Sequence, residues 1–134
     1  FVAAYVHWGT ENTAVLETAQ REQARQYIEA GADIVVGAHP HCLQGFAFEH
    51  GKHVAYSLGN FWFNMDTVET GFLFVRIAAT GEYSVQFEPC IQHGGRTALM
   101  EDAEGAALLQ YLRALSPGVR IYADGTLELE QPEL

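Results

Sequence analysis

The stretch Asp33-Ile34-Val35-Val36-Gly37-Ala38-His39-Pro40-His41 decides the fold. A short apolar run that ends at a turn signal is typical of a buried strand in an α/β sheet. A similar run, Val2-Ala3-Ala4-Tyr5-Val6, lies upstream and ends at His7. Ligands of open α/β sheets bind beyond the carboxyl ends of the strands. Histidine therefore follows both strands at the place where such sites form.

The two histidines around Pro40 predict a metal site. The residue before a proline is biased toward extended backbone, and side chains two positions apart in an extended chain face the same way. We therefore expect His39 and His41 to face a common side, with Gly37 letting the backbone turn close to a bound group. Neutral imidazole binds Zn, Fe, Mn or Ni, so the pair does not choose the ion. A polar loop with two titrating histidines is the alternative.

The residues between the two strands predict a helix. Capping side chains occur at 10–13, and Gly31 is expected to end the helix after about Ala30. Apolar residues recur at helical spacing in between: Val15, Leu16, Ala19, Ala24, Tyr27 and Ile28. A strand, a helix and a second strand from Asp33 form one βαβ unit, which should bring His7 and His39 to the same sheet edge.

The second half of the chain predicts antiparallel structure. The pattern indicates hairpins over 45–58, 71–91 and 120–130, and a helix from about Ala103 to Leu115. His50 and His53 flank the turn of the first hairpin and are expected to be exposed. The predicted class is α/β, with one βαβ unit followed by antiparallel hairpins and a helix, and with residues 1–134 in a single partial domain.

Composition and charge exclude some classes of function. The 134 residues are 49% hydrophobic and carry 7 basic against 17 acidic side chains, a net charge of -10. This charge argues against nucleic acid or an anionic membrane as a partner. The two cysteines do not identify the compartment, so a cell-envelope and a cytoplasmic location both stay open. Because the chain begins without Met inside an apolar strand, we expect it to be a fragment whose domain supplies further strands ahead of Phe1.

Two further residues could line the same site. Glu11 follows His7 in the next loop, so a carboxylate and an imidazole could face one cation. Asn60 follows Gly59 at the end of another strand and offers an amide oxygen to a cation or an amide NH2 to a substrate oxygen. A hydrogen-bonding role for His7 and a turn-forming role for Asn60 are the alternatives.

The remaining candidates lie in predicted loops. Arg96 follows Gly94-Gly95, a pattern that could hold an anion through backbone NH groups and a guanidinium, with a plain surface loop as the alternative. We expect Phe61-Trp62-Phe63 to pack in the core or at an interface. The loop after them, with Asn64, Asp66 and Glu69, could border a pocket or be solvated.

Three motifs resemble a known family. Val6-His7-Trp8-Gly9-Thr10-Glu11, the stretch from Gly31 to His41, and Tyr56-Ser57-Leu58-Gly59-Asn60-Phe61 occur in the order and spacing of the bacterial capsule synthesis (poly-gamma-glutamate biosynthesis) protein family. That family belongs to the calcineurin-like metallophosphoesterase superfamily. The resemblance extends from Phe1 to about Pro89.

The resemblance implies an αββα sandwich with a two-metal site at its strand ends, of which this chain is the carboxyl-terminal half. His7 matches the family's His-Trp-Gly motif, and His39 and His41 match its Gly-x-His-Pro-His motif, so these residues would hold divalent Mn, Fe or Zn. Glu11 and Asn60 match positions that line the pocket and would position water or substrate. The superfamily's other metal ligands would lie ahead of Phe1.

The resemblance also implies a metal-dependent hydrolase of capsule or poly-gamma-glutamate biosynthesis that acts on a phosphate ester or a gamma-glutamyl polymer. Arg96 would then bind the anionic substrate. Alone, the chain is expected to bind metal weakly and to be inactive, because the amino-terminal half of its domain is a required partner. One alternative is a non-catalytic polymer-binding or accessory subunit of an envelope polymer machine. Another is a fragment that dimerises to cover an exposed sheet edge.

Overall fold

The computed structural model describes residues 1–131, and its first three elements form the expected βαβ unit. Strand β1 spans Ala3–His7, helix α1 spans Thr18–Glu29, and strand β2 spans Ile34–Ala38. The two strands pair in parallel, with His7 opposite Ala38. The register therefore brings the residues that follow both strands to one edge of the sheet, as predicted.

A hairpin completes the first sheet. Strands β3 (Phe46–Glu49) and β4 (Lys52–Ala55) pair antiparallel, which confirms the predicted hairpin. Strand β4 also pairs in parallel with β2, which gives the order β1-β2-β4-β3. The sequence pattern did not predict this second parallel pairing. It places the segment after β4, which includes Asn60, at the same edge as the histidines.

The second sheet is antiparallel and has the order β5-β6-β9-β8, with β7 paired to β6. Its strands are β5 (Val68–Ile77), β6 (Tyr83–His93), β7 (Arg96–Leu99), β8 (Val119–Ile121) and β9 (Thr126–Leu129). The predicted hairpins are present, but two loop expectations were wrong. Glu69 lies inside β5, where it pairs with Ile91, and Arg96 begins β7, where it pairs with His93. Strand β5 begins earlier than expected, at Val68, so that Glu69 is paired, and β6 extends past Ile91 to His93, which pairs with Arg96.

The helices agree with the sequence except at one end. Helix α2 spans Asp102–Leu115, as predicted. Helix α1 begins at Thr18 rather than after residue 13, because Glu17 and Gln20 form a capping box there. Residues 10–17 are consequently a loop, and Glu11 lies within it. None of the helices among residues 1–131 is long and apolar enough to cross a membrane.

Two apolar clusters hold the elements together. One joins α1 to the first sheet through Ala24, Ile28 and Val35. The larger cluster joins both sheets and α2, with Phe46, Phe87 and residues of α2 that include Leu108 and Leu112. Two sheets and two helices confirm the α/β class, while the complete αββα sandwich stays a prediction.

The expectation that His53 is exposed was wrong. Its Nε2 lies 3.2 Å from the carbonyl oxygen of Leu127, and its Nδ1 lies 3.3 Å from the hydroxyl of Tyr83. The imidazole is therefore half-buried between the two sheets, and this burial lowers the pKa of His53. Pairing of β4 within the first sheet turns the side chain toward the second one, whereas His50 in the turn is exposed.

His53 predicts a loss of stability in mild acid. Because its folded-state pKa lies below the unfolded value of about 6.5, the stabilisation is complete above that pH and is lost as the pH falls through the folded-state pKa. We expect the free energy of unfolding in urea to fall between about pH 7.5 and about pH 5.5 more steeply in the wild type than in His53→Gln. His50→Gln, at an exposed position of the same hairpin, should behave like the wild type. Equal pH dependence in all three proteins would contradict this.

Candidate metal centre

Three potential metal ligands converge beyond the carboxyl ends of β1 and β2. One ligand atom from each of Glu11, His39 and His41 lies within 4.8 Å of the other two. The Nε2 atom of His41 lies 3.9 Å from a carboxylate oxygen of Glu11. The His39 and His41 rings have centroids 5.8 Å apart. Two imidazole nitrogens and a carboxylate oxygen suit Zn, Fe or Mn, so the donor set fits the expected cation.

The backbone that brings the histidines together is not extended. The φ angles are 98° at His39 and 59° at His41, in the left-handed region that non-glycine residues rarely adopt. The expectation that Pro40 holds His39 in extended backbone was therefore wrong, although the His39 and His41 rings do lie close together. Backbone hydrogen bonds hold the loop: Asn12 donates to the Pro40 carbonyl at 2.7 Å, and Trp8 donates to the Ala38 carbonyl at 3.0 Å. Such strain at a loop held on both sides is typical of binding sites.

His7 lies beside this cluster. Its ring centroid is 4.4 Å from that of His39, which follows from the pairing of His7 with Ala38. Its ring nitrogens fall outside the group of three donors that lie within 4.8 Å of one another. His7 is exposed, so it can reach a ligand from the open side of the site.

Asn60 contacts His41 directly. Its amide oxygen lies 2.8 Å from Nδ1 of His41, so this ring nitrogen is the donor, and in the neutral imidazole the lone pair is then on Nε2. Nε2 is the atom on the Glu11 side. A hydrogen bond of this kind fixes the tautomer and the orientation of a metal-binding histidine. In this arrangement Asn60 positions His41.

Trp8 requires a glycine at position 37. The Trp8 side chain is buried, and its Nε1 donates to the Tyr56 carbonyl at 2.8 Å. A Cβ at Gly37 would lie 2.2 Å from Trp8 Nε1 and 2.1 Å from the Tyr56 carbonyl oxygen. Gly37 lies within β2, so the expectation that it turns the backbone was wrong. The absence of a side chain at Gly37 allows the carboxyl ends of β1, β2 and β4 to approach closely.

Two buried glutamines hold the loop that carries Glu11. Gln20 Nε2 donates to Gln44 Oε1 at 2.9 Å, and Gln44 Nε2 donates to the Thr13 carbonyl at 3.0 Å. Both side chains are almost completely buried. The sequence analysis missed this pair. The available signal was Gln20, which lies midway between Leu16 and Ala24 on the apolar face of the predicted helix, where a hydrophobic residue is expected.

The aromatic segment 61–63 borders the site from outside. Its side chains are 50%, 68% and 56% exposed, so they do not pack in the core, and packing at an interface stays a prediction. The Phe63 ring lies against His41, with centroids 4.6 Å apart. The segment therefore forms an apolar wall next to the imidazole.

Gln92 fixes this wall in place. Its buried side chain accepts a hydrogen bond from the Phe63 amide at 2.8 Å. It donates to the carbonyls of Asn64 and Asp66 at 2.8 Å and 2.9 Å. A fully hydrogen-bonded buried amide gives an exposed loop a single conformation.

Arg96 lies outside the cluster. It is exposed, and among residues 1–131 it makes no hydrogen bond or ion pair with Glu11, His39 or His41. Its hairpin touches the aromatic wall through its neighbours, since the Trp62 indole donates to the Gly95 carbonyl at 2.8 Å and the Thr97 hydroxyl donates to the Phe61 carbonyl. A substrate-binding role for Arg96 stays a prediction.

The close packing at Gly37 predicts a large effect of one methyl group. We expect Gly37→Ala to lower the free energy of unfolding by about 3 kcal/mol, because its Cβ would overlap a backbone oxygen and a buried indole. Gly105→Ala is the matched control, since a Cβ in that turn of α2 has its nearest neighbours at 3.7 Å. There we expect a gain of about 0.5–1 kcal/mol from reduced backbone entropy. Urea denaturation measures both, and a neutral Gly37→Ala would contradict the packing argument.

Comparison with known proteins shows that about the first half of the chain is similar to capsule synthesis proteins. The family described as Bacterial capsule synthesis protein PGA_cap matches residues 1–65. The chain is 42% identical over 69 residues to the PGA biosynthesis protein CapA of Bacillus subtilis (strain 168), and 41% identical over 69 residues to the capsule biosynthesis protein CapA of Bacillus anthracis.

Each aligned segment covers 52% of this chain, but only 18% of the Bacillus subtilis protein and 17% of the Bacillus anthracis protein. The chain thus aligns with less than a fifth of the length of these relatives. All the donors of the candidate metal centre lie within the matched residues. Residues 1–65, which include these donors, thus match the bacterial capsule synthesis protein family.

Proposed function

We propose that this chain is part of a metal-dependent hydrolase of capsule or poly-gamma-glutamate biosynthesis. The names of its relatives support the capsule-related process. The observation that carries the hydrolase proposal is the convergence of Glu11, His39 and His41 within 4.8 Å. Two imidazole nitrogens and a carboxylate oxygen from two loops are a donor set that Zn, Fe and Mn accept.

The residues of the site would have different roles. Glu11, His39 and His41 would hold a divalent Mn, Fe or Zn, and His7 would join them from the side of His39. A cation held there would supply Lewis acidity and lower the pKa of a bound water. Asn60 keeps the proton on Nδ1 of His41, so the lone pair of Nε2 stays available. The aromatic segment 61–63 would border the substrate on the His41 side, where Phe63 lies against the imidazole.

The rest of the protein would complete the site. Each ion of a two-metal site needs about four to six ligands, and such a pair usually shares a carboxylate. We therefore propose that an amino-terminal half of the domain supplies further ligands. On this basis the 134-residue chain alone would bind metal weakly and would not turn over.

The proposed substrates are phosphate esters and gamma-glutamyl polymers. The chain carries a net charge of -10, so a polyanion would approach only where bound cations or Arg96 offset that charge. Arg96 would bind an anionic group of the polymer.

The hydrolase proposal predicts how the full-length protein responds to substitution. With Mn or Zn added, it should cleave a generic phosphodiester or poly-gamma-glutamate, and His39→Ala should abolish turnover. Asn60→Ala should reduce metal affinity or activity by about 10–100-fold, because it frees the orientation of His41. His50→Ala is the control, because this exposed histidine lies in the turn before β4, at the end of the strand opposite the site. Full turnover by His39→Ala would remove the proposed role.

The exposed aromatic wall favours a second candidate function. Large apolar side chains held rigidly at the surface are typical of interaction sites. In this alternative, the protein is a non-catalytic accessory subunit that binds polymer or a partner beside the imidazoles. Absence of bound metal in the full-length protein, together with polymer binding that survives a chelator, would support this candidate over the hydrolase.

A further inference from the structure

An open cleft of about 370 Å³ lies beside His41 on the side of the second sheet. Leu43 and Val68 contribute its apolar walls, and Glu69 and Tyr111 contribute polar groups. The cleft thus begins at the candidate metal centre and ends at helix α2. Nothing in the proposed hydrolytic roles uses Glu69 or Tyr111.

The walls of the cleft are held rigidly. The Thr70 hydroxyl donates to the Leu58 carbonyl at 2.7 Å, which fastens the start of β5 to the segment after β4. The Ser57 hydroxyl donates to the Cys42 carbonyl at 2.7 Å, and Leu43 forms a β-bridge with Leu58. A preformed cleft of this kind spares a ligand the cost of ordering loops.

Glu69 lies near the start of β5, where the strand borders the cleft. Side chains alternate along a strand, so Glu69 shares a face with Leu73 and Val75. Leu73 and Val75 pack against the larger apolar cluster. Glu69 lies beyond the edge of that cluster and lines the cleft. Among residues 1–131, neither the Glu69 carboxylate nor the Tyr111 hydroxyl has a hydrogen-bond or ion-pair partner.

The charges around the cleft select a kind of ligand. Among the described residues, no lysine or arginine lines it, while Glu69 offers a carboxylate and Tyr111 a hydroxyl. A carboxylate with free acceptor sites favours an ammonium group and disfavours an anion. The neighbouring cluster of Glu11, His39 and His41 would present a cation to carbonyl or carboxylate oxygens. A ligand that spans both must carry an ammonium group close to a carbonyl group.

We propose that this cleft is a recognition subsite for the free amino end of a gamma-glutamyl chain, whose ammonium group pairs with Glu69. This inference rests on the proposed function for the identity of the polymer. Thr67, Val68, Glu69 and Tyr111 lie outside the segment 1–65 that matches the family. The matched half therefore carries the metal centre, and the second half carries the selection of the ligand end.

The test compares two probes that differ only in the ammonium group. The probes are gamma-glutamyl-glutamate and its N-acetylated form, titrated by calorimetry into the full-length protein with Mn²⁺ and again without added metal. We expect the free-amine probe to bind about fivefold more tightly, as for a partly exposed ion pair. Glu69→Gln should remove this preference. Glu82→Gln, an exposed carboxylate in the β5–β6 turn, is the matched control and should keep it.

The outcomes separate this inference from the hydrolase proposal. Equal affinity of the two probes for the wild type, a preference that survives Glu69→Gln, or no binding of either probe would overturn the subsite. A preference that depends on Glu69 in a protein without turnover would support the subsite while the hydrolase proposal fails. Turnover without any preference for a free amine would leave the hydrolase and remove the subsite.

Discussion

The Trp8 indole is the contact on which the site depends. It lies over Gly37 of β2 and donates to the carbonyl of Tyr56 just after β4, while its own amide donates to Ala38. One buried side chain thereby joins the carboxyl ends of three parallel strands. Glu11, the histidines and Asn60 all lie within a few residues of these ends, so their distances follow from this packing.

Buried amides, rather than ion pairs, position the loops around the site. A buried polar group costs free energy unless it is hydrogen-bonded, and Gln20, Gln44 and Gln92 each have partners at both the amide oxygen and the amide nitrogen. Gln20 and Gln44 hold the Glu11 loop, and Gln92 holds the aromatic wall against His41. Amides keep these loops fixed without adding charge next to the candidate metal centre. The Tyr56 hydroxyl differs, because it is buried without a partner in the described part of the chain and burial raises the pKa of Tyr56.

The sequence predicted the parts that depend on local pattern. Apolar periodicity located the βαβ unit, the hairpins and α2, and the strand ends predicted that His7 and His39 would meet. Interactions across the chain could not be read this way. The left-handed backbone at His39 depends on contacts with Trp8 and Asn12, and the burial of His53 depends on the second sheet. Likewise, the place of Asn60 depends on the parallel pairing of β4 with β2.

The central claim is that Glu11, His39 and His41 share one cation, and paramagnetic broadening by Mn²⁺ tests it most directly. In NMR spectra of the 134-residue chain, substoichiometric Mn²⁺ should broaden first the signals of residues 7–12 and 39–41, and His39→Ala should abolish this preference. The signals of His50 and His53 serve as internal references. Broadening centred instead on the acidic cleft formed by Glu88, Glu101, Asp102 and Asp124, or spread evenly over the surface, would contradict the account.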